Sequence, residues 1–338
     1  MLDEDIIEPV KTGSKWTSQI VPIPKPDGNL RICCDMRNAN EAIIREQFPI
    51  PTVEEIMQDM NGAAVFTKLD LKAGFHQLEL AEDSREITTF QTHKGLFRYK
   101  RLMFGVNCSP EKMQRVIQEV LQGCDGVKNI SDDIVVWGVD HEEHDRRLDK
   151  VLKRLVEVGL TLNYDKCKFR KLEIVFVGHI ISKDGIRPAD DKLEAVRKFR
   201  APRDPTEVKS FKGLVQFLSD YLPDLATVAE PLWRVTRKSQ KFQFGKEQKE
   251  AFQKVKDIVS DAKTLAYFNL KYRTYVVADA SPVGLGAVLI QEQDGQQRVI
   301  SYASYSLSDV ERRYSQTEKE ALGLVWACER FKTYQLGV

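Results

Sequence analysis

Two adjacent aspartates, Asp132 and Asp133, lie within the run Val127-Lys128-Asn129-Ile130-Ser131-Asp132-Asp133-Ile134-Val135-Val136-Trp137. The flanks are apolar and rich in β-branched residues, which pair as strands, and the Ser-Asp step between them is a turn signal. The segment therefore reads as a short β-hairpin with two like charges at its tip. Such charges repel unless something cationic sits between them. An acidic surface turn explains most Asp-Asp pairs, but here a third acid upstream occupies an equally unusual setting.

That acid is Asp70, in the stretch from Val65 to Leu80, which is a strand by composition. A carboxyl wedged between Leu69 and Leu71 is costly unless it is partnered. A carboxylate from one strand, beside a hairpin carrying another, can hold two Mg²⁺ ions about 4 Å apart for an in-line displacement at phosphorus. One ion would lower the pKa of a primer 3′-hydroxyl, and the other would neutralise the leaving pyrophosphate.

Further motifs follow in order along the chain. They are Lys25-Pro26-Asp27-Gly28-Asn29-Leu30-Arg31, Leu69-Asp70-Leu71-Lys72-Ala73-Gly74-Phe75, Leu102-Met103-Phe104-Gly105, Ser131-Asp132-Asp133, Val177-Gly178-His179 and Asp279-Ala280-Ser281. Singly each is weak; as an ordered set they are specific. The chain resembles the reverse transcriptase region of a gypsy-class long-terminal-repeat retrotransposon polyprotein. The resemblance implies an α+β multidomain fold, a right-hand polymerase of fingers, palm and thumb with an antiparallel palm sheet, followed by a partial ribonuclease H-like α/β domain. The expected boundaries are fingers and palm at 1–187, thumb at 188–235, connector at 236–270 and the ribonuclease H-like part at 271–338.

Bulk composition is compatible with this. A chain of 338 residues with 42% hydrophobic and 30% charged residues suits a globular protein of two or more domains. The formal net charge is only +1, yet residues 161–250 carry 19 Lys and Arg against 13 Asp and Glu, while residues 1–100 run to −4. A basic stretch downstream of an acidic one suits phosphate contacts in one place and metal ligands in another, although solvated helices show similar surpluses. The six cysteines show no CxxC spacing and read as reduced packing residues of an intracellular protein. No apolar run approaches a membrane span.

Local signals divide the chain further. Pro26 to Asn29 is a turn between extended segments, giving a basic hairpin with Lys25 and Arg31. Ser109-Pro110-Glu111 opens a helix with Ser109 as N-cap, and Gly123 closes it. Asp140 caps a second helix, with Glu143 at its third position and Leu148, Val151, Leu152 and Leu155 as the buried stripe. His141 and His144 lack the spacing of a zinc helix. Ile174 to Ile181 is a strand ending at the turn 183–185. Residues 188–233 are helical with breaks at Pro202, Pro205, Pro223 and Pro231. Strands follow at 274–281, 284–290 and 298–304, then a helix from Thr317 to Tyr334.

The resemblance assigns roles. Asp70, Asp132 and Asp133 would hold two Mg²⁺, with Mn²⁺ as a substitute; Lys25 and Arg31 would grip the triphosphate. Phe75, otherwise a core residue on an alternating strand, would exclude the ribose 2′-hydroxyl. Phe104 and Gly105 would touch the incoming nucleotide and template, and Val177, Gly178 and His179 would form the primer grip. Asp279 and Glu320 match the first two metal ligands of ribonuclease H. The third falls past Val338, so the expectation is that this stretch alone does not cut the RNA of a hybrid. The implied partners are an RNA template, a DNA primer, an RNA–DNA hybrid and deoxynucleoside triphosphates, in a cytoplasmic virus-like particle or the nucleus. Two residues depart from the family pattern: Ile130 replaces a tyrosine beside the primer terminus, and Met103 replaces a proline, which would loosen the wall around Phe104. These departures keep open a catalytically decayed or co-opted element that only binds nucleic acid or protein. A viral RNA-templated RNA polymerase also carries paired palm aspartates, but Phe75 and the ribonuclease H-like tail argue against it.

Overall fold

The computed structural model describes residues 1–24, 28, 30–237 and 242–335; of Arg31 and Gln335 only the backbone is described. The chain divides into two units, one of residues 1–56 and 63–172, the other of residues 57–62 and 173–338.

The first unit contains β1 (Ile7–Pro9), β2 (Ile20–Pro24), β3 (Leu30–Cys34), α1 (Arg37–Ala42) and the start of α2 (Val53–Asp59). It continues with β4 (Val65–Asp70), β5 (Phe90–Thr92), β6 (Gly95–Tyr99), α3 (Ser109–Val120), β7 (Val127–Ile130), β8 (Asp133–Gly138), α4 (His141–Glu157) and β9 (Lys168–Lys171). The sheet that matters has the order β7-β8-β4-β9, antiparallel throughout. Leu69, Ile134 and Val136 from this sheet pack with Met113 and Ile117 of α3 and with Leu148, Val151 and Leu155 of α4 in one buried cluster. Two helices on the sheet exclude water from its apolar residues, which pins the register. Strands β1, β6 and β5 form a second sheet, and β2 with β3 a separate ribbon.

Several local expectations hold. Asp140 caps α4, its Oδ1 accepting from the Glu143 amide at 2.8 Å, while Glu143 Oε2 accepts from the Val139 amide at 2.9 Å. Others change. The strand expected over 65–80 stops at Asp70, because Ala73 takes a left-handed conformation (φ 49°) and Gly74–Gln77 coil into a 3₁₀ turn. Ser109 is not the cap of α3: it lies inside the helix, buried, and its hydroxyl donates to the Met103 carbonyl at 2.8 Å. The helix starts one residue earlier than expected, with Cys108 at the cap, and the Ser109 hydroxyl instead ties the first turn to the preceding loop.

The second unit holds β10 (Glu173–Phe176), β11 (His179–Ser182), β12 (Gly185–Pro188), α5 (Asp190–Arg197), α6 (Pro205–Phe217), α7 (Leu225–Val228), α8 (Glu230–Arg234) and α9 (Lys246–Ser260). It ends with β13 (Arg273–Ala280), β14 (Gly284–Gln293), β15 (Gln296–Ser306), α10 (Gln316–Arg330) and α11 (Lys332–Gln335). The run 174–181 is not one strand. It folds back at Val177 and Gly178, both at positive φ (46° and 80°), and Phe176 pairs with His179. Positive φ at both central residues is the backbone of a two-residue hairpin turn. Pro205 and Pro231 start helices rather than break them, since a proline in the first turn forfeits no intrahelical bond. The last helix begins one residue early, capped by Ser315 with Glu318 in a capping box, and pauses at Phe331 before α11. Strands β13, β14 and β15 form an antiparallel sheet in sequence order, against which Ala327 and Phe331 are buried. Among the described residues no helix is long and apolar enough to cross a membrane.

Candidate active site

Asp70 ends β4, and Asp133 begins β8; the two are direct cross-strand partners. Residues opposed in an antiparallel pair project to the same face with β-carbons about 5 Å apart. Asp132 sits next to Asp133 in the two-residue turn that joins β7 to β8, where Ile130 pairs with Asp133. Thus three acids drawn from positions 70, 132 and 133 gather at one end of the sheet.

The turn is held from below by a residue of α3 that the sequence does not single out. Gln114 of α3 is buried; its Oε1 accepts from the Ser131 amide at 2.7 Å, and its Nε2 donates to the Asn129 carbonyl at 3.1 Å. Ser131 occupies the left-handed region at φ 54°. Of the two glutamines of α3, Gln114 and Gln118, nothing in the sequence marks which one supports the turn.

Two lysines attend the acids. Lys68 Nζ lies 3.0 Å from Asp133 Oδ2, and Lys166 Nζ lies 3.9 Å from Asp70 Oδ1. Burial, the largest influence, pushes the Asp70 carboxyl above its ordinary range; Lys166 pulls it back, and the charges of Asp133 and Asp132 push it up again. Like charges close enough to raise one another's proton affinity form a site that a cation relieves. Among the described residues, no three His, Cys, Asp or Glu side chains converge closely enough, as they stand, to hold a metal ion. The donor chemistry still fits one: carboxylate oxygens are the ligands hard divalent cations take, and the mutual repulsion at Asp70 is what such an ion would cancel.

The wall beside the acids is aromatic. Phe75, on the 3₁₀ turn rather than a strand, places its ring 4.8 Å from that of Phe104, and His76 meets Phe104 edge-on at 5.9 Å. The Gly105 carbonyl accepts from Asn40 Nδ2 at 2.9 Å. Met103 is fully buried in the cluster of Cys34, Met36, Phe90 and Tyr99, so the wall behind Phe104 is packed. Lys25 lies outside the described residues; the backbone of Arg31 pairs with Ile23 in the ribbon. A cleft of about 650 Å³ between Trp16, Leu80, Ile87 and Met103 is not lined by any of the three acids.

In the second unit, His179 Nδ1 meets the Tyr221 hydroxyl at 2.6 Å, and its ring stacks on Phe217 at 5.0 Å. Asp279 is exposed on β13 opposite Gly286. A β-carbon on Gly286 would lie 2.6 Å from Asp224 Oδ1, so an acid the sequence reading did not single out approaches that strand pair. Glu320 accepts from Gln316 Nε2 at 2.6 Å, and the same amide donates to the Ala280 carbonyl at 2.9 Å, tying α10 to the end of β13.

Residues 23–181 match the family described as reverse transcriptase (RNA-dependent DNA polymerase), and residues 244–338 match the RNase H-like domain found in reverse transcriptase. The Pol polyprotein of transposon 297 from Drosophila melanogaster is 34% identical over the whole chain, and that of transposon gypsy from the same species 30%. The Tf2-3 polyprotein of Schizosaccharomyces pombe is 26% identical over 92% of the chain. The chain spans 32%, 34% and 24% of these relatives, about a third of their length or less. In fold it is similar to the foamy viral protease-reverse transcriptase solved with dsDNA, at a TM-score of 0.89 and 23% identity, covering 99% of this chain and 70% of that one. The same viral protein solved with an RNA/DNA hybrid gives a TM-score of 0.87, with 45% of that chain covered. Residues 23–181, which carry Asp70, Asp132 and Asp133, thus belong to the reverse transcriptase family and residues 244–338 to its RNase H-like domain, in a chain similar over its whole length to retrovirus-related Pol polyproteins of transposons.

Proposed function

We propose that the chain adds deoxynucleotides to a primer 3′-hydroxyl on an RNA or DNA template. The observation that carries this is the cross-strand pairing of Asp70 with Asp133, beside Asp132 in the adjoining turn. Asp70, Asp132 and Asp133 would hold divalent cations, Mg²⁺ or in its place Mn²⁺. When bound, those ions supply acidity to the attacking hydroxyl and neutralise charge on the leaving pyrophosphate.

The protein's own groups position and exclude. Gln114 keeps the acidic turn in place by holding the Ser131 amide. Phe75, backed by Phe104, would occupy the space that a ribose 2′-hydroxyl needs, leaving room for a deoxyribose alone. Lys25 and Arg31 would meet the triphosphate, for which Arg brings a bidentate fork and Lys a point charge. Gly105 would face the nucleotide and template. Val177, Gly178 and His179 would steady the primer end; residues 1–187 would serve as fingers and palm, 188–235 as thumb and 236–270 as connector. Asp279 and Glu320 would serve the hydrolysis of RNA in the hybrid within the longer polyprotein.

The test is primer extension on an RNA template with the wild type beside Asp132→Asn. Asparagine keeps the size and removes the charge, so incorporation should vanish with either Mg²⁺ or Mn²⁺. Salt-dependent hybrid binding without incorporation by the wild type would leave a binding-only protein instead.

A further inference from the structure

We propose that Lys68 is the resident counter-ion of the metal site: its ammonium holds Asp133 while divalent ions are absent and competes with them as they bind. This deepens the reading of Asp70, Asp132 and Asp133 as metal-holding residues and rests on it.

The placement follows from strand geometry. Side chains two apart on β4 share a face, so Lys68 lies on the face of Asp70, and Asp70 is the cross-strand partner of Asp133. From there Lys68 reaches diagonally to Asp133 Oδ2 at 3.0 Å. The two side chains are only 21% and 30% exposed, whereas Lys166, at 3.9 Å from Asp70, is 66% exposed. Solvent and salt therefore screen the Lys68 pair least, and it is the stronger of the two. The Lys68 charge also acts on Asp70, drawing its carboxyl down.

A divalent ion that takes Asp133 must break this pair or bind beside a positive charge. Either way Lys68 raises the metal concentration needed to fill the site. It also keeps the three acids from facing one another uncompensated when no metal is present. The same side chain thus stabilises the metal-free protein and weakens its metal affinity.

The experiment measures Mn²⁺ binding to the intact chain at low ionic strength, without nucleotide or nucleic acid, from the electron paramagnetic resonance signal of free Mn²⁺. Thermal unfolding in a chelator and in Mn²⁺ is recorded alongside. Lys68→Met should bind Mn²⁺ at least about threefold more tightly, since a nearby unit charge is removed from a partly screened site. Its midpoint in chelator should fall, and its gain in midpoint on adding Mn²⁺ should exceed that of the wild type. Lys68→Arg, which keeps the charge, should behave as the wild type. Lys68→Gln should show the same tightening as Lys68→Met and decides the matter should the methionine variant not fold. Unchanged or weaker Mn²⁺ binding in the charge-removing variants, with binding lost in Asp133→Asn, would overturn the role of Lys68 and leave the metal site standing. Equal Mn²⁺ binding by the wild type and Asp133→Asn would instead remove the reading on which the inference rests.

Discussion

Gly74 and Asp132 approach so closely that a β-carbon on residue 74 would lie 2.9 Å from the Asp132 β-carbon and 3.3 Å from its Oδ2. The glycine after the first acidic strand thereby sets where the second strand's turn can sit. These two segments, about sixty residues apart, can come this close only because residue 74 carries no β-carbon.

Gly74→Ala should therefore displace Asp132 or the 3₁₀ turn that carries Phe75. Overpacking of this kind costs about 1–3 kcal/mol, and a displacement near 1 Å at a reacting group costs roughly 100-fold in rate. Primer extension should fall by at least about tenfold while circular dichroism still reports a folded chain. Full activity in this variant would show that the position of Asp132 is not critical.

Phe75→Ala should admit ribonucleotides. The ring is partly buried against the palm cluster and backed by Phe104, so truncation opens space without emptying the core. Discrimination between deoxy- and ribonucleotides, read as the ratio of kcat/KM values, should drop by about tenfold or more. An unchanged ratio would remove Phe75 from sugar selection.

Val177 is a β-branched residue at φ 46°, a conformation that costs an L-residue roughly 1–2 kcal/mol. Val177→Asn should stabilise the second unit by about 1 kcal/mol in urea unfolding, because asparagine tolerates this region. Gly178→Ala should do the reverse, since it pairs a φ of 80° with a β-carbon 2.7 Å from Phe217 Cζ. If both variants shifted stability in the same direction, the turn geometry would not be the cause.

Burial pushes the Cys34 thiol up to about 11 from an ordinary 9.0, with its hydrogen bond to Tyr99 acting the other way. Burial likewise raises the Tyr99 hydroxyl. A group whose folded pKa is raised contributes stability that is complete below the unfolded pKa and is lost as pH climbs through the folded one. Stability should thus hold up to about pH 9 and fall by on the order of 2 kcal/mol by pH 11. Cys34→Ala should flatten part of that decline in denaturant titrations across the same window. An equally steep decline in the variant would place the alkaline sensitivity elsewhere.

Asp70, Asp132 and Asp133 were legible because each breaks a local rule: acids among β-branched or leucine neighbours are anomalous wherever the chain goes. The helix cap at Asp140 was legible for the complementary reason, since capping chemistry lies within four residues. Gln114 was not, because a glutamine on a helix declares nothing until the turn it supports is in place. Lys68 was equally silent, and so was Gly74.

What the amino-acid sequence determined by itself is the inventory and its order: which segments carry acids, the acidic turn at Ser131-Asp132, and which family those motifs resemble. What only the tertiary structure decided is the pairing of Asp70 with Asp133, the end of β4 at Asp70, the fold-back at Val177 and Gly178, and the lysine that neutralises Asp133. The physical reason is range. Propensity and capping act over a few residues, whereas strand register and close approach arise from burying distant segments against one another, where a one-residue slip would turn every side chain to the wrong face.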